Sequence, residues 1–137
     1  GEVEIAGHMA DLSKVTCDAF IVAGVTDHIT PWKACYRTPA LLGSENIEFI
    51  LSSSGHIQSL INPPGNPKAR YFTNPDVSLD PDAWAAGAEE TQASWWPRWA
   101  EWIKERSGAL KPAPQDCGSK GFEPICAAPG TYVMEAS

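Results

Sequence analysis

No stretch of this chain approaches the roughly 20 consecutive apolar residues that a membrane helix needs, so no bilayer-spanning helix is expected. A basic segment leading into an apolar one is missing from its start, and no secretory signal is read there. Positive charge is scarce: 10 Lys and Arg stand against 17 Asp and Glu, a formal net charge of −7. That balance argues against a broad nucleic-acid-binding surface and against a polybasic membrane patch. No two of the four cysteines, Cys17, Cys35, Cys117 and Cys126, have the Cys-x-x-Cys spacing of a zinc or redox site. A Gly-x-Ser-x-Gly nucleophile elbow is absent as well.

What is present has globular composition, with 43% apolar and 20% charged residues in a length of 137, enough for one domain with its own core. A core of that size does not depend on disulfides. The cysteines are therefore expected as reduced thiols in a cytoplasmic protein, with Cys17 and Cys35 acting as small hydrophobes in a core strand and a helix. The abrupt opening, almost inside a strand and without an initiator Met, reads as part of a longer protein.

Two apolar runs organise the reading. The first, Val15 to Val22, is most continuous at its end and leads through Gly24 into Val25-Thr26-Asp27-His28. The second, Ile47-Glu48-Phe49-Ile50-Leu51, leads into Ser52-Ser53-Ser54-Gly55-His56. Between them, Pro31 opens a helix with Thr30 as cap and Gly43 as a left-handed stop, and Pro39 predicts a kink or break near Thr38. A helix between two strands implies a right-handed crossover and parallel strands, so both exit loops leave the same edge of the sheet. Asp27 and His56 can then meet, because adjacent strands lie roughly 5 Å apart.

The flanks read more simply. Val3-Glu4-Ile5 suits a short edge strand followed by a turn at Gly7, with His8 solvated in that turn. After His56 comes a short helix through Gln58, Leu60 and Ile61, then a Pro/Gly-rich break and irregular chain through Phe72. A short helix over Asp82 to Ala88 is opened by Pro81. Ser94 to Ser107 is a helix with Trp95, Trp99 and Trp102 on one face, expected to pack on the sheet; Trp84 and Trp96 are not assigned. The tail beyond Gly108 is Pro/Gly/Ala-rich, with Thr131-Tyr132-Val133 as an extended segment.

An aspartate that accepts the ring N–H of a histidine fixes its tautomer and stabilises the imidazolium, which leaves the other ring nitrogen free to act as a general base. The bland counterpart is a surface aspartate and a satisfied loop histidine, and spacing alone does not separate the two. Asp27, His28 and His56 also make up a two-histidine, one-carboxylate ligand set, but without tight helical ligand spacing, and no metal is expected. Lys33 and Arg37, four residues apart, could meet phosphates but read better as a solvated face. No cysteine here has the glycine-flanked setting of an elbow nucleophile, which is therefore expected upstream of Gly1.

Several stretches together resemble the C-terminal portion of polyhydroxyalkanoate synthases, the class II type more than class I. They are Gly24-Val25-Thr26-Asp27-His28-Ile29-Thr30-Pro31-Trp32, Ser53-Ser54-Gly55-His56-Ile57, Ile61-Asn62-Pro63-Pro64-Gly65-Asn66-Pro67-Lys68-Ala69, Ser94-Trp95-Trp96-Pro97 and the closing Ala128-Pro129-Gly130-Thr131-Tyr132-Val133. The resemblance implies an α/β fold, the C-terminal part of an α/β-hydrolase catalytic domain over 1–73, with a Trp-rich helical extension and tail over 74–137. It implies an acyltransferase that polymerises (R)-3-hydroxyacyl-CoA into a growing polyester chain and releases CoA, with no cofactor. It places the family's catalytic aspartate on Asp27, its histidine on His56 and a supporting histidine on His28. The nucleophilic cysteine of the family's lipase-like box has no counterpart here. A homodimer of the full-length enzyme and association with the granule surface are further implications. A non-catalytic docking module and a hydrolase relative such as a depolymerase are the alternatives.

Overall fold

The computed structural model describes residues 3–115 and 117–135. The chain divides into two compact units, Gly1–Arg106 and Ser107–Ser137. The first unit holds a four-stranded mixed sheet and five short helices.

Its first strands, β1 (Val3–Ile5) and β2 (His8–Ala10), form a hairpin around Ala6 and Gly7, both with positive φ. Such a pair matches the turn that suits strand twist. His8 is thus in an exposed strand, not in a turn. The first sheet strand, β3, runs Ala19–Gly24. It starts later than the apolar run because its parallel partner β4 (Ile47–Ser52) fixes the register from Ala19↔Ile47 to Gly24↔Ser52. Cys17 consequently lies outside the strand and is exposed, against the expectation of a core position. All four cysteines are free.

The crossover helix is broken as Pro39 requires, into α1 (Trp32–Cys35) and α2 (Thr38–Leu41), with Pro39 in the first turn where no N–H is needed. Gly43 does not adopt a left-handed conformation. A Cβ there would lie 2.0 Å from the Ser13 carbonyl oxygen, so this glycine allows a close chain approach. After β4 comes α3 (His56–Leu60).

The irregular reading of the next segment is corrected by the structure. Tyr71–Thr73 forms β5, antiparallel to β4, and Glu89–Thr91 forms β6, antiparallel to β5. The sheet is therefore mixed, in the order β3-β4-β5-β6. Helix α4 (Pro81–Ala86) lies between these strands, capped by the Asp80 carboxylate on the N–H groups of Asp82 and Ala83. Helix α5 (Trp96–Lys104) follows, with Pro97 in its first turn.

Strand alternation sends side chains to two covered faces. On one, Ala23, Tyr36, Phe49, Leu51 and Trp84 form a cluster in which Tyr36, Phe49 and Trp84 pack ring against ring, with centroids 5.0 to 5.5 Å apart. On the other, Ile50, Tyr71 and Trp95 pack with Phe20, Val22 and Trp96. Trp102 reaches the same face, 5.5 Å from the Phe20 ring. Trp99 only partly follows the packing expected of it, being 42% exposed. In the second unit, Tyr132–Met134 is a 3₁₀ turn closed by Met134 N–H donating to the Thr131 carbonyl, so Thr131-Tyr132-Val133 is not extended.

Candidate active site

The loops after β3 and β4 are stapled together. Val25 N–H donates to the Ser52 carbonyl at 2.8 Å, and Thr26 N–H to the Ser54 carbonyl at 3.3 Å, so the parallel ladder continues past both strand ends. Gly24 sits at the point of closest approach. A Cβ there would lie 2.2 Å from Ser59 Oγ and 2.6 Å from the Ser54 carbonyl oxygen, a contact that only glycine permits. Ser59 is buried and its hydroxyl donates to the same Ser54 carbonyl at 2.7 Å, which draws α3 onto the end of β3.

This frame brings Asp27 and His56 together. His56 Nδ1 lies 2.8 Å from Asp27 Oδ2. The Asp27 carboxylate has three further donors: Ile29 N–H at 2.9 Å and Thr30 N–H at 3.0 Å on Oδ1, and the Thr30 hydroxyl at 2.7 Å on Oδ2. Thr30 therefore does not cap α1, which has no side-chain cap; its hydroxyl turns to the carboxylate instead. Foremost the Thr30 backbone N–H, and with it the His56 ring, the Thr30 hydroxyl and Ile29 N–H, hold the Asp27 carboxyl far below its usual value of 3.8, against the opposing effect of burial.

An ionised Asp27 can only accept, so the Nδ1 facing it must carry the ring proton. In the neutral ring that assignment leaves Nε2 with its lone pair outward. Exposure fits this division, since the Asp27 side chain is 6% exposed and that of His56 43%. The pair can therefore relay a proton to and from a group that approaches Nε2.

His28 is exposed and makes no hydrogen bond with either Asp27 or His56. Among the described residues no three His, Cys, Asp or Glu side chains gather as a metal-ligand set. Cys35 is half-buried in α1 with its thiol 3.8 Å from the Thr30 carbonyl oxygen. Lys33 pairs with Asp82 at 2.5 Å, and Arg37 lines a groove of about 550 Å³ beside Tyr36 and Ile47. That groove lies at the amino end of β4 and touches neither Asp27 nor His56. Among the described residues no helix is long and apolar enough to cross a membrane.

Sequence reasoning did not find Thr30 as a partner of Asp27. Its signal is the spacing itself, because an aspartate readily takes N–H groups two and three residues ahead.

No protein-family model matches the chain. It is 53% identical over 132 residues to poly(3-hydroxyalkanoate) polymerase 2 of Ectopseudomonas oleovorans, covering 96% of this chain and 23% of that protein. In sequence, the chain is a relative of the poly(3-hydroxyalkanoate) polymerases. Polymerase 1 of the same organism is 50% identical over 97% of this chain and 24% of its own length. The poly(3-hydroxyalkanoate) polymerase subunit PhaC of Cupriavidus necator is 38% identical over 97% of this chain and 22% of its own. The chain thus spans about a quarter of the length of these relatives, and the likeness to the first pair is the stronger.

Proposed function

We propose that this chain is the aspartate-and-histidine portion of a polyhydroxyalkanoate polymerase with an α/β-hydrolase fold. The observation that carries the reading is the 2.8 Å contact between Asp27 and His56, on loops that leave the same edge of two neighbouring parallel strands. In open α/β sheets, reactive groups gather at the carboxyl ends of the strands.

A cysteine from a part of the polymerase outside this sequence is the nucleophile in this reading. His56 Nε2 takes the thiol proton, and the thiolate attacks the thioester carbonyl of an (R)-3-hydroxyacyl-CoA. The C–S bond to CoA breaks, His56 returns the proton to the departing CoA thiolate, and an acyl-enzyme remains. In the second half, His56 takes the proton of a 3-hydroxyl group, whose oxygen attacks the acyl-enzyme carbonyl. A new ester forms, and the cysteine leaves with the proton. Asp27 keeps Nδ1 protonated in both halves and stabilises each imidazolium.

The polymer grows by one unit per cycle without a cofactor. The setting is a cytoplasmic granule surface and a dimeric full-length enzyme, with His28 in a supporting place beside Asp27. The test is His56→Ala in the full-length polymerase, assayed for CoA release from 3-hydroxyacyl-CoA. A fall of about 10³-fold or more is expected, and near-normal release would sink the assignment.

A further inference from the structure

Three consecutive residues converge on the helix that begins with His56 and on the chain just after it. Trp95 Nε1 donates to the Ser59 carbonyl at 2.7 Å, and Trp96 Nε1 donates to the Leu60 carbonyl at 2.9 Å. The Ser94 hydroxyl donates to the Asn62 carbonyl and accepts the Trp96 backbone N–H at 3.1 Å. We infer that Ser94-Trp95-Trp96 is a positioning clamp for His56, a role that rests on His56 being the general base and that acts through α3 without touching the reacting atoms.

The physical need is plain. Helix α3 has five residues, far below the roughly 12 to 15 at which a helix in water becomes even marginally stable. The last carbonyls of any helix also lack partners within it. Here the Ile61 N–H takes the Ile57 carbonyl, and the two indoles take those of Ser59 and Leu60. The clamp is itself rooted. Trp95 is buried against Ile50 and Tyr71, and its ring lies 6.1 Å from Phe20 on β3. The indole N–H groups are thus fixed by the sheet and hold the carboxyl end of α3 to it.

A second tie runs from the Ser59 hydroxyl back to the Ser54 carbonyl in the loop that precedes α3, with Ser59 packed on Gly24. His56 has no capping side chain behind it, because Gly55 precedes it. Its ring position relative to Asp27 therefore depends on how the whole five-residue helix is set. A helix this short spans only about 7 Å, so a shift at Leu60 is carried to His56 with little loss. Displacements near 1 Å at a reacting group cost about 10²-fold in rate.

The experiment replaces only the indole donors, as the double variant Trp95→Phe/Trp96→Phe, in the full-length polymerase that carries this sequence. Two readouts are taken: the Nδ1 proton and nitrogen resonances of His56 after ¹⁵N-histidine labelling, and kcat and KM for CoA release. The expected result is loss or displacement of the Nδ1–H resonance with a kcat about tenfold to a hundredfold lower and KM within about twofold. Trp84→Phe is the control. It removes an indole N–H of the same kind, which donates to the Asn74 carbonyl and not to α3, and it should leave both readouts in place. Wild-type resonance and kcat in the double variant overturn the clamp, as does an equal loss in Trp84→Phe. If the double variant loses the resonance while His56→Ala releases CoA normally, the clamp stands and the base assignment falls.

Discussion

His56 Nδ1 and Asp27 Oδ2 lie 2.8 Å apart, although 29 residues separate them in the chain. The contact exists because β3 and β4 are parallel and in register to their last pair, Gly24↔Ser52, so the loops that follow emerge side by side. Replacing Asp27 by Asn in the full-length polymerase keeps the shape but lets the histidine adopt the wrong tautomer. CoA release should fall by about 10² to 10⁴-fold with little change in KM. A single-turnover assay checks this, and a variant within about threefold of wild type would contradict the orienting role.

The same carboxylate carries a pH signature. Its folded-state value is lowered from 3.8, foremost by the Thr30 N–H, so its stabilising contribution is complete above the unfolded value and is lost as pH falls through the folded one. The stability advantage of wild type over Asp27→Asn should therefore shrink between about pH 5 and about pH 3. Urea midpoints of both proteins across that range are the measurement. An advantage that widens on acidification would contradict the assignment of donors.

Gly24 makes a sharp steric prediction. An added methyl would meet Ser59 Oγ at 2.2 Å and the Ser54 carbonyl oxygen at 2.6 Å, and the second is backbone that cannot swing away. Gly24→Ala should cost about 1 to 3 kcal/mol of stability and also push α3, with His56, away from Asp27. Thermal unfolding together with the His56 ring resonances reads both effects. The same change at Gly65, where nothing lies within 4 Å of the added carbon, serves as a comparison of space, although its positive φ brings its own strain.

The tryptophans should divide by burial, not by their shared place in a Trp-rich sequence. Trp84 is fully enclosed between Tyr36 and Phe49, and Trp84→Ala should cost about 3 to 5 kcal/mol. Trp99, 42% exposed at the outer side of α5, should cost clearly less on the same substitution. Chemical denaturation of the two variants would decide it, and equal losses would contradict the packing described.

The parallel crossover and the Asp/His juxtaposition were legible because both apolar runs are long enough to read as strands and each ends in a small-residue loop. The antiparallel half of the sheet was not. Tyr71-Phe72-Thr73 is three residues long between proline-rich segments, too short to show alternation, and Glu89-Glu90-Thr91 is a polar edge strand with no apolar signal. The first exists because β4 offers it an edge and the second because β5 then offers another, which is a tertiary cause. Cys17 falls outside the strand for a related reason: the apolar run extends further than the partner strand that could pair with it. Ser94-Trp95-Trp96 serves carbonyls 32 to 36 residues back in the chain, which its own neighbourhood does not reveal, whereas Thr30 stands only three residues from the carboxylate it serves.

The two hydrogen bonds that carry the β3–β4 ladder into the loops have a consequence for motion. Val25 and Thr26 donate across to Ser52 and Ser54, so the aspartate loop cannot open without parting from the histidine loop at the sheet end. Deuterium should therefore enter the Val25 and Thr26 amides about as slowly as it enters the end of β3, in one cooperative opening. A protein built this way keeps Asp27 and His56 side by side for as long as that edge of the sheet is closed.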